Sequence, residues 1–466
     1  MLIALVARSV VAAFSVDVPG DGPTRAIEAW RWQQNPHLVM WGVWPPGLTY
    51  LTAVVALVQP DPRWSVRILN VVAGTMTIPV FAAVARRIVA PNAAWLATAS
   101  LALLPLHVEL SVTSLTESTF ILEILIGLWL VMRAREATVA AWMLGATALA
   151  LAVMTRYDAW WFAPALLAAV ASTGRWRGFV GLALAMGMFP VAWCVGNMLA
   201  VGDPLYGLSM VRRDSEIAGA VSTGLGPALA IIAEVGADAL GLPLVMGVAV
   251  AIGIALRRGR ELLRFERVVY VAVTGTFWIA ITWFAMNRGR NVFDRYLVLG
   301  LVLLLPVAAV PWSRLCRTRR VLAGLAVVLA LASAMPRLEQ WPPRTRWITW
   351  SPPRDMELLT AWMRSSPYRD ASVVLTEMGW VSTYFALLWP EATARRIIVS
   401  PWTTDYELGR FLERRPTLLV TVPTDADLRQ RIERVGGGPM IGASPLRTFG
   451  ALEVRVLAAA PAAASP

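Results

Sequence analysis

Residues 15–47 read SVDVPGDGPTRAIEAWRWQQNPHLVMWGVWPPG. The stretch holds Asp17, Asp21, Arg25, Glu28, Arg31 and His37, interleaved with Trp30, Trp32, Trp41 and Trp44. It sits between a first apolar segment and a long series of further ones, in a chain that is 57% hydrophobic. Charge and indole gathered between apolar runs mark a loop at a membrane surface.

Charged residues make up 15% of the 466, and the mean hydropathy is +0.59. Soluble domains carry about 25% charged residues, so the composition is that of an integral membrane protein. Apolar runs of helical length, rich in Gly and Ala, point to α-helices rather than a β-barrel. The net charge of +12 comes from arginine alone, because the chain contains no lysine. Many of these arginines fall in short loops between apolar runs, which argues against nucleic-acid binding. Cys194 and Cys316 lie in different segments and are expected near opposite faces of the bilayer. No disulfide framework or metal cluster follows from them.

Met1–Val16 is short for a span and carries Arg8; it is expected to be a signal-anchor helix with a cytoplasmic N-terminus. Pro45-Pro46-Gly47 opens an apolar run to Val58 that is too short to cross and suits a helix lying in the interface. Further spans are expected at 67–89, 93–106, 118–132, 139–154, 159–172, 179–200, 228–256, 268–286, 296–312 and 321–335. With the first segment that makes about eleven.

Arginine placement orients the series. With the 45–58 run not crossing, the inner loops hold Arg86 and Arg87, Arg133 and Arg135, Arg175 and Arg177, Arg257 to Arg267, and Arg314 to Arg320. Each is short and basic, as the positive-inside rule requires. The outer loops then contain Asp17, Asp21, Glu28, Glu109, Glu117, Asp158, Asp203, Asp214 and Glu216, with both histidines, His37 and His107. Ionisable chemistry is gathered on the outer face.

From about Arg337 the pattern changes. Strand-like segments at 372–376, 396–399, 417–422 and 451–457 alternate with helical ones at 354–365, 405–414 and 424–435. The fold class is therefore a polytopic α-helical membrane protein, residues 1–336 including the first outer loop 17–66. A small C-terminal α/β domain, 337–457, lies on the outer face, and 458–466 form a disordered tail. Glu377 and Trp380 follow the first of these strands and are candidates for contacting an acceptor.

At Asp21 the order of motifs resembles a known family. Arg8 in the first span is followed by D-G-P-T-R (21–25), W-P-P-G-L-T-Y (44–50), R-I-L-N-V-V-A-G (67–74) and S-L-T-E (114–117). R-Y-L-V-L-G (295–300) comes later. This order is similar to that of the GT-C superfamily of glycosyltransferases, which includes oligosaccharyltransferases, protein O-mannosyltransferases and the lipid A aminoarabinose transferase. The likeness covers roughly the first 160 residues. It implies transfer of a sugar from a polyprenyl-phosphate-linked donor to a lipid, polysaccharide or protein acceptor, on the outer leaflet of the plasma membrane. It places the family's two acidic positions at Asp21 and Glu117, with Asp17 competing for the first. These acids would bind a divalent metal, Mg or Mn, or serve as base.

The residues suit that chemistry. A carboxylate taking the acceptor's proton contributes about 10²–10⁴-fold. Cations must meet the leaving phosphate. Without lysine the supply is arginine or a metal. Arg25, Arg156, Arg212, Arg213, Arg288, Arg290 and Arg295 are the outer-face candidates, with Asp158, Trp44 and His107 as further substrate contacts. Plainer roles compete at each position. Asp21 suits a helix start, Glu117 a helix first turn, and Asp158 an ion pair with Arg156. Arg212 and Arg213 suit headgroup anchors, His107 an interfacial polar residue and the tryptophans an aromatic belt. A transporter or non-catalytic binder of lipid-linked sugars is the alternative; the lack of a clear internal repeat and the clustering of charge at one surface count against a transporter, although Glu123 lies deeper in its span.

Overall fold

The computed structural model describes residues 1–17, 21–134, 136–217, 223–257, 264–288, 292–315, 318–339, 348–349, 354–376, 381–391, 396–399, 408–409, 412–413, 418–422, 426–436, 441 and 444–457. Contacts divide the chain into two units. The first is Met1–Phe14, Asn35–Gln59 and Ser65–Trp347; the second is Ser15–Gln34, Pro60–Trp64 and Ile348–Pro466.

The first unit is helical. Helix α1 (Leu2–Phe14) leads to strand β1 (Val16–Asp17) and α2 (Asp21–Gln34), which are grouped with the second unit. Then come α3 (Gly47–Ala56), α4 (Pro62–Ile88), α5 (Pro91–Leu103), α6 (Pro105–Leu110), α7 (Glu117–Met132) and α8 (Val139–Thr155). They are followed by α9 (Asp158–Ala171), α10 (Trp176–Val201), α11 (Tyr206–Ile217), α12 (Leu225–Leu240) and α13 (Leu242–Arg257). Helices α14 (Phe265–Arg288), α15 (Asp294–Leu315) and α16 (Arg319–Glu339) complete the unit.

Among the described residues, four helices are long and apolar enough to cross a membrane: α4, α10, α14 and α15. The core runs along α4, α5, α7 and α15, with Phe81, Leu96, Leu101, Ile121, Leu125, Leu297 and Leu301 packed inside. Helix α10 is turned the other way. Leu184, Met188, Val191 and Leu199 are all exposed, the surface a lipid-facing helix presents. Helix α3, 10 residues long, rises about 15 Å, half of what a crossing needs.

The sequence pattern predicts one span over 228–256. The structure breaks it at Gly241 into α12 and α13, bent by 119°. Gly241 has φ +76°, and a Cβ there would meet the Ala332 carbonyl at 2.9 Å. Pro243 follows in the first turn of α13, where its missing N–H costs nothing, and its carbonyl accepts from Trp312 Nε1 at 3.1 Å. Apolar composition alone does not register such a break.

The second unit centres on a sheet. Its elements are β1 and α2 from the first loop, β2 (Ile348–Thr349), α17 (Arg354–Ser365), β3 (Val373–Thr376), α18 (Val381–Leu388) and β4 (Arg396–Val399). They continue with β5 (Leu418–Thr421), α19 (Ala426–Val435), β6 (Arg447–Phe449) and β7 (Leu452–Val456). The strand order is β4-β3-β5-β7-β6, with β3 parallel to both β4 and β5, and β7 antiparallel to β5 and β6. Val374, Leu419, Leu428 and Ile432 pack between sheet and helix. The first loop is grouped here rather than with the helices because β1 pairs antiparallel with β2 and α2 packs on α18. Residues 377–380 and the 458–466 tail lie outside the described residues, and so do Glu377 and Trp380.

Gly241→Ala is expected to lower thermal stability in detergent by about 1–3 kcal/mol from the positive-φ, extended backbone alone, with the Ala332 contact adding to it. Gly253→Ala, in α13 with nothing within 4 Å of the new methyl, is expected to be neutral or stabilising. Equal effects at the two positions would refute this reading of the break.

Candidate functional site

The site forms where α7 begins. Glu117 is the first residue of α7 and is 2% exposed. Its Oε1 accepts from Arg156 Nη1 at 2.8 Å. Arg156 follows the last residue of α8; its Nε donates to Asp158 Oδ2 at 2.6 Å, and Nη1 also reaches Thr116 Oγ1 at 3.0 Å. The guanidinium lies over the Phe120 ring, 5.6 Å from its centre. Burial pulls the Arg156 pKa down, but the carboxylates of Asp158 and Glu117 more than offset it and hold the group above its ordinary value. Arg295, itself buried, acts on Arg156 from α15 with like charge. Glu117 Oε2 is buried with no hydrogen-bond partner among the described residues.

A carboxylate this deep needs its backbone fixed, and α4 does that. Asn70 Nδ2 donates to the carbonyls of Thr113 at 2.8 Å and Leu115 at 2.6 Å, while its Oδ1 accepts from Thr119. Arg67 Nε donates to the Val112 carbonyl at 2.6 Å, and its Nη2 to that of Ala12 at 3.1 Å. The 112–116 loop thus has its orphan carbonyls met by two side chains one helical turn apart. Gly74, one further turn along, lets the loop pass close: a Cβ there would stand 2.1 Å from Ser111 Oγ. Arg67 and Asn70 were visible in the R-I-L-N motif, and nothing in their spacing announces a clamp on a loop 43 to 45 residues away.

A second acid lies deeper in α7. Glu123 Oε1 accepts from Thr155 Oγ1 at 3.2 Å, and Oε2 has no partner among the described residues. Consecutive residues, Thr155 and Arg156, therefore join the end of α8 to both acids of α7.

The remaining candidates scatter. His107, expected at the outer surface, is wholly buried; its Nδ1 is 2.6 Å from Arg8 Nη2. A guanidinium only donates, so Nδ1 is the acceptor of a neutral imidazole. His107 is an interior tie between α1 and α6 instead of a surface contact. Arg212 and Arg213 are exposed on α11. Trp44 is half-buried, and Val43 beside it accepts from Tyr157 Oη at 3.1 Å. Arg288 ends α14, and Arg290 lies outside the described residues, as does Cys316; Cys194 is a free thiol. Asp17, Asp21 and Arg25 belong to the second unit. Asp17 is 5% exposed in β1, opposite Ile348, and Asp21 is half-buried in the first turn of α2.

With this geometry in place, likeness to known proteins has a meaning. A profile of the dolichyl-phosphate-mannose-protein mannosyltransferase family matches residues 43–194, which include Asn70, Glu117, Arg156 and Asp158. ArnT from Cupriavidus metallidurans, solved with undecaprenyl phosphate, matches with a TM-score of 0.60 over 100% of this chain and 98% of its own, at 14% identity. The chain has the GT-C fold. The Archaeoglobus fulgidus oligosaccharyltransferase, solved with Zn and sulfate, gives 0.56 over 96% of this chain and 72% of its own, at 12% identity. The oligosaccharyltransferase AglB from Archaeoglobus fulgidus, solved with an inhibitory peptide and a dolichol-phosphate, gives 0.54 over 90% of this chain and 69% of its own, at 13% identity. No curated protein matches by sequence. For the Mg or Mn expected at the GT-C acids, Glu117 Oε2 offers one donor. Among the described residues no three His, Cys, Asp or Glu side chains come together, so a metal is assigned no step.

Arg156→Met is expected to cost about 3–5 kcal/mol, because it leaves the Glu117 charge buried without a counter-ion. Adding Glu117→Gln to Arg156→Met should restore most of that loss. A double-mutant cycle on thermal unfolding in detergent reads the coupling, and additive losses would overturn the pairing.

Proposed function

We propose that this chain is a glycosyltransferase that moves a sugar from a polyprenyl-phosphate-linked donor to an acceptor on the outer leaflet of the plasma membrane, assisted by a carboxylate. The observation that carries the reading is the Glu117–Arg156–Asp158 cluster at the start of α7, within the matched residues of a GT-C-fold chain.

In this reading Asp21 is the base. Its half-buried place in the first turn of α2 leaves it reachable, whereas Asp17 is enclosed in β1. Asp21 takes the acceptor's proton as the acceptor oxygen bonds to the sugar's anomeric carbon. The bond from that carbon to the phosphate oxygen breaks, and polyprenyl phosphate leaves with the electron pair. Arg156 and Arg295 meet the charge that develops on it. Glu117 keeps Arg156 aimed through Nη1, and Asp158 holds it at Nε. Cations placed in advance of the charge they stabilise need no reorganisation during reaction. Polyprenyl and dolichyl phosphates bound in the two relatives support this donor class, and the acceptor peptide of the archaeal enzyme shows one acceptor type the fold admits elsewhere.

Membranes carrying the wild-type chain, incubated with polyprenyl-phosphate sugars, should yield glycosylated products by mass spectrometry. Asp21→Asn is expected to lower the transfer rate by about 10²–10⁴-fold, and Asp17→Asn by far less. Transfer that survives Asp21→Asn would remove Asp21 from the reaction; a chain that transports the donor without transferring sugar would remove the transferase reading.

A further inference from the structure

The second unit contains a cavity of about 410 Å³ that the transfer chemistry does not use. Its wall is built by Trp30 of α2, by Pro60, Asp61 and Arg63 at the start of α4, and by Arg364 and Glu391 of the C-terminal segment. All of these belong to one unit. The volume falls in the range of about 300–1,000 Å³ typical of small-molecule sites.

The lining is set in advance. Arg63 Nε lies 3.0 Å from both oxygens of Asp61, its Nη2 donates to Oδ2 at 2.6 Å, and its backbone N–H donates to Oδ1 at 2.9 Å. Prolines on either side of Asp61 restrict this turn further. Burial raises the Asp61 carboxyl, but the hydrogen bonds from Arg63 outweigh that and hold it below the ordinary carboxylate range. Across the cavity Arg364 Nη2 donates to the Leu388 carbonyl at 2.7 Å, and the guanidinium lies over the Trp389 ring, 5.2 Å from its centre.

The chemistry of the lining selects a ligand class. Asp61 and Glu391 balance Arg63 and Arg364, so the formal charge is zero. A phosphate or sulfate site would carry an excess of cations. Carboxylates that accept and guanidinium groups that donate in pairs match vicinal hydroxyls, each both donor and acceptor. The Trp30 indole and the proline rings supply apolar faces for the C–H side of a pyranose or furanose ring. We propose that this cavity binds a neutral glycan, taken up as the sugar-bearing part of the acceptor. The acceptor role rests on the transferase reading above; occupancy by a neutral sugar does not.

Saturation-transfer NMR on the full-length protein in lipid nanodiscs tests the proposal. The probes are the methyl glycosides of glucose, galactose, mannose and arabinose, with glucose 6-phosphate as the charged comparison. At least one neutral glycoside should bind. Its signal should fall fivefold or more in Trp30→Ala and in Arg364→Gln, survive in part in Trp30→Phe, and be unchanged in Gly253→Ala. Absence of binding by every neutral glycoside, preference for glucose 6-phosphate, or indifference to both Trp30 and Arg364 would overturn it. Sugar binding with no transfer activity in the wild-type chain would retain the cavity assignment and sink the transferase reading instead.

Discussion

A carboxylate that is 2% exposed at the head of an apolar helix is tolerated only with a counter-charge in contact, and Arg156 is that charge. The pairing constrains much around it. Arg156 must leave α8 at the level where α7 starts, which fixes the register of two helices that pack along their length. Thr155 secures the same junction through Glu123. The 112–116 loop must then deliver Glu117 at one height and in one direction, and Asn70 and Arg67 hold it by its carbonyls. A buried ion pair contributes little net stability compared with apolar packing of the same volume. Its retention here fits a site where a fixed charge is wanted more than a tight core.

The two units are threaded through one another in sequence. The chain passes between them at 14/15, 34/35, 59/60, 64/65 and 347/348. The second unit is therefore no appended bead. Strand β1 and helix α2 come from the first loop, and they find their partners, β2 and α18, more than 300 residues later. Such long-range pairing completes only after the intervening helices have been made. It follows that Asp21, the acid to which the order of sequence motifs points, depends for its local structure on the C-terminal segment.

The sequence was legible where its periodicity is strong. The strands at 372–376, 396–399, 417–422 and 451–457, and the helix at 354–365, fall on β3, β4, β5, β7 and α17. Glu117 and Arg156 are legible as candidates, and the pair that Arg156 makes with Asp158 is the plainer of the two roles their spacing allows. That Arg156 also pairs with Glu117, 39 residues away, was not readable, because helix packing rather than spacing brings them together. His107 misled for the same reason. Its position after an apolar run suggests a surface, yet α6 turns it inward to Arg8. The break at Gly241 was hidden because Gly and Pro are common inside membrane helices and only backbone geometry separates a tolerated glycine from a hinge. Asp61 and Arg63 stand just after the short apolar run that ends at Val58, and a cavity wall has no sequence signature.

The exclusive use of arginine has a physical consequence at these depths. Arg8, Arg67, Arg156 and Arg295 all have their side chains largely withdrawn from solvent. A lysine moved to such places sheds its proton readily, and the charge is lost where it is needed. A guanidinium keeps its charge and spreads five donors over a plane, so one group can hold several partners. Arg8 takes the carbonyls of Ala4 and Ala102 and the ring of His107. Arg156 takes Glu117, Asp158 and Thr116. Positive charge in this helical unit is thus both structural and permanent across the physiological pH range. In the proposed transfer that permanence is the relevant property: arginine would hold its stabilising field in place before the bond to phosphate breaks, at any physiological pH.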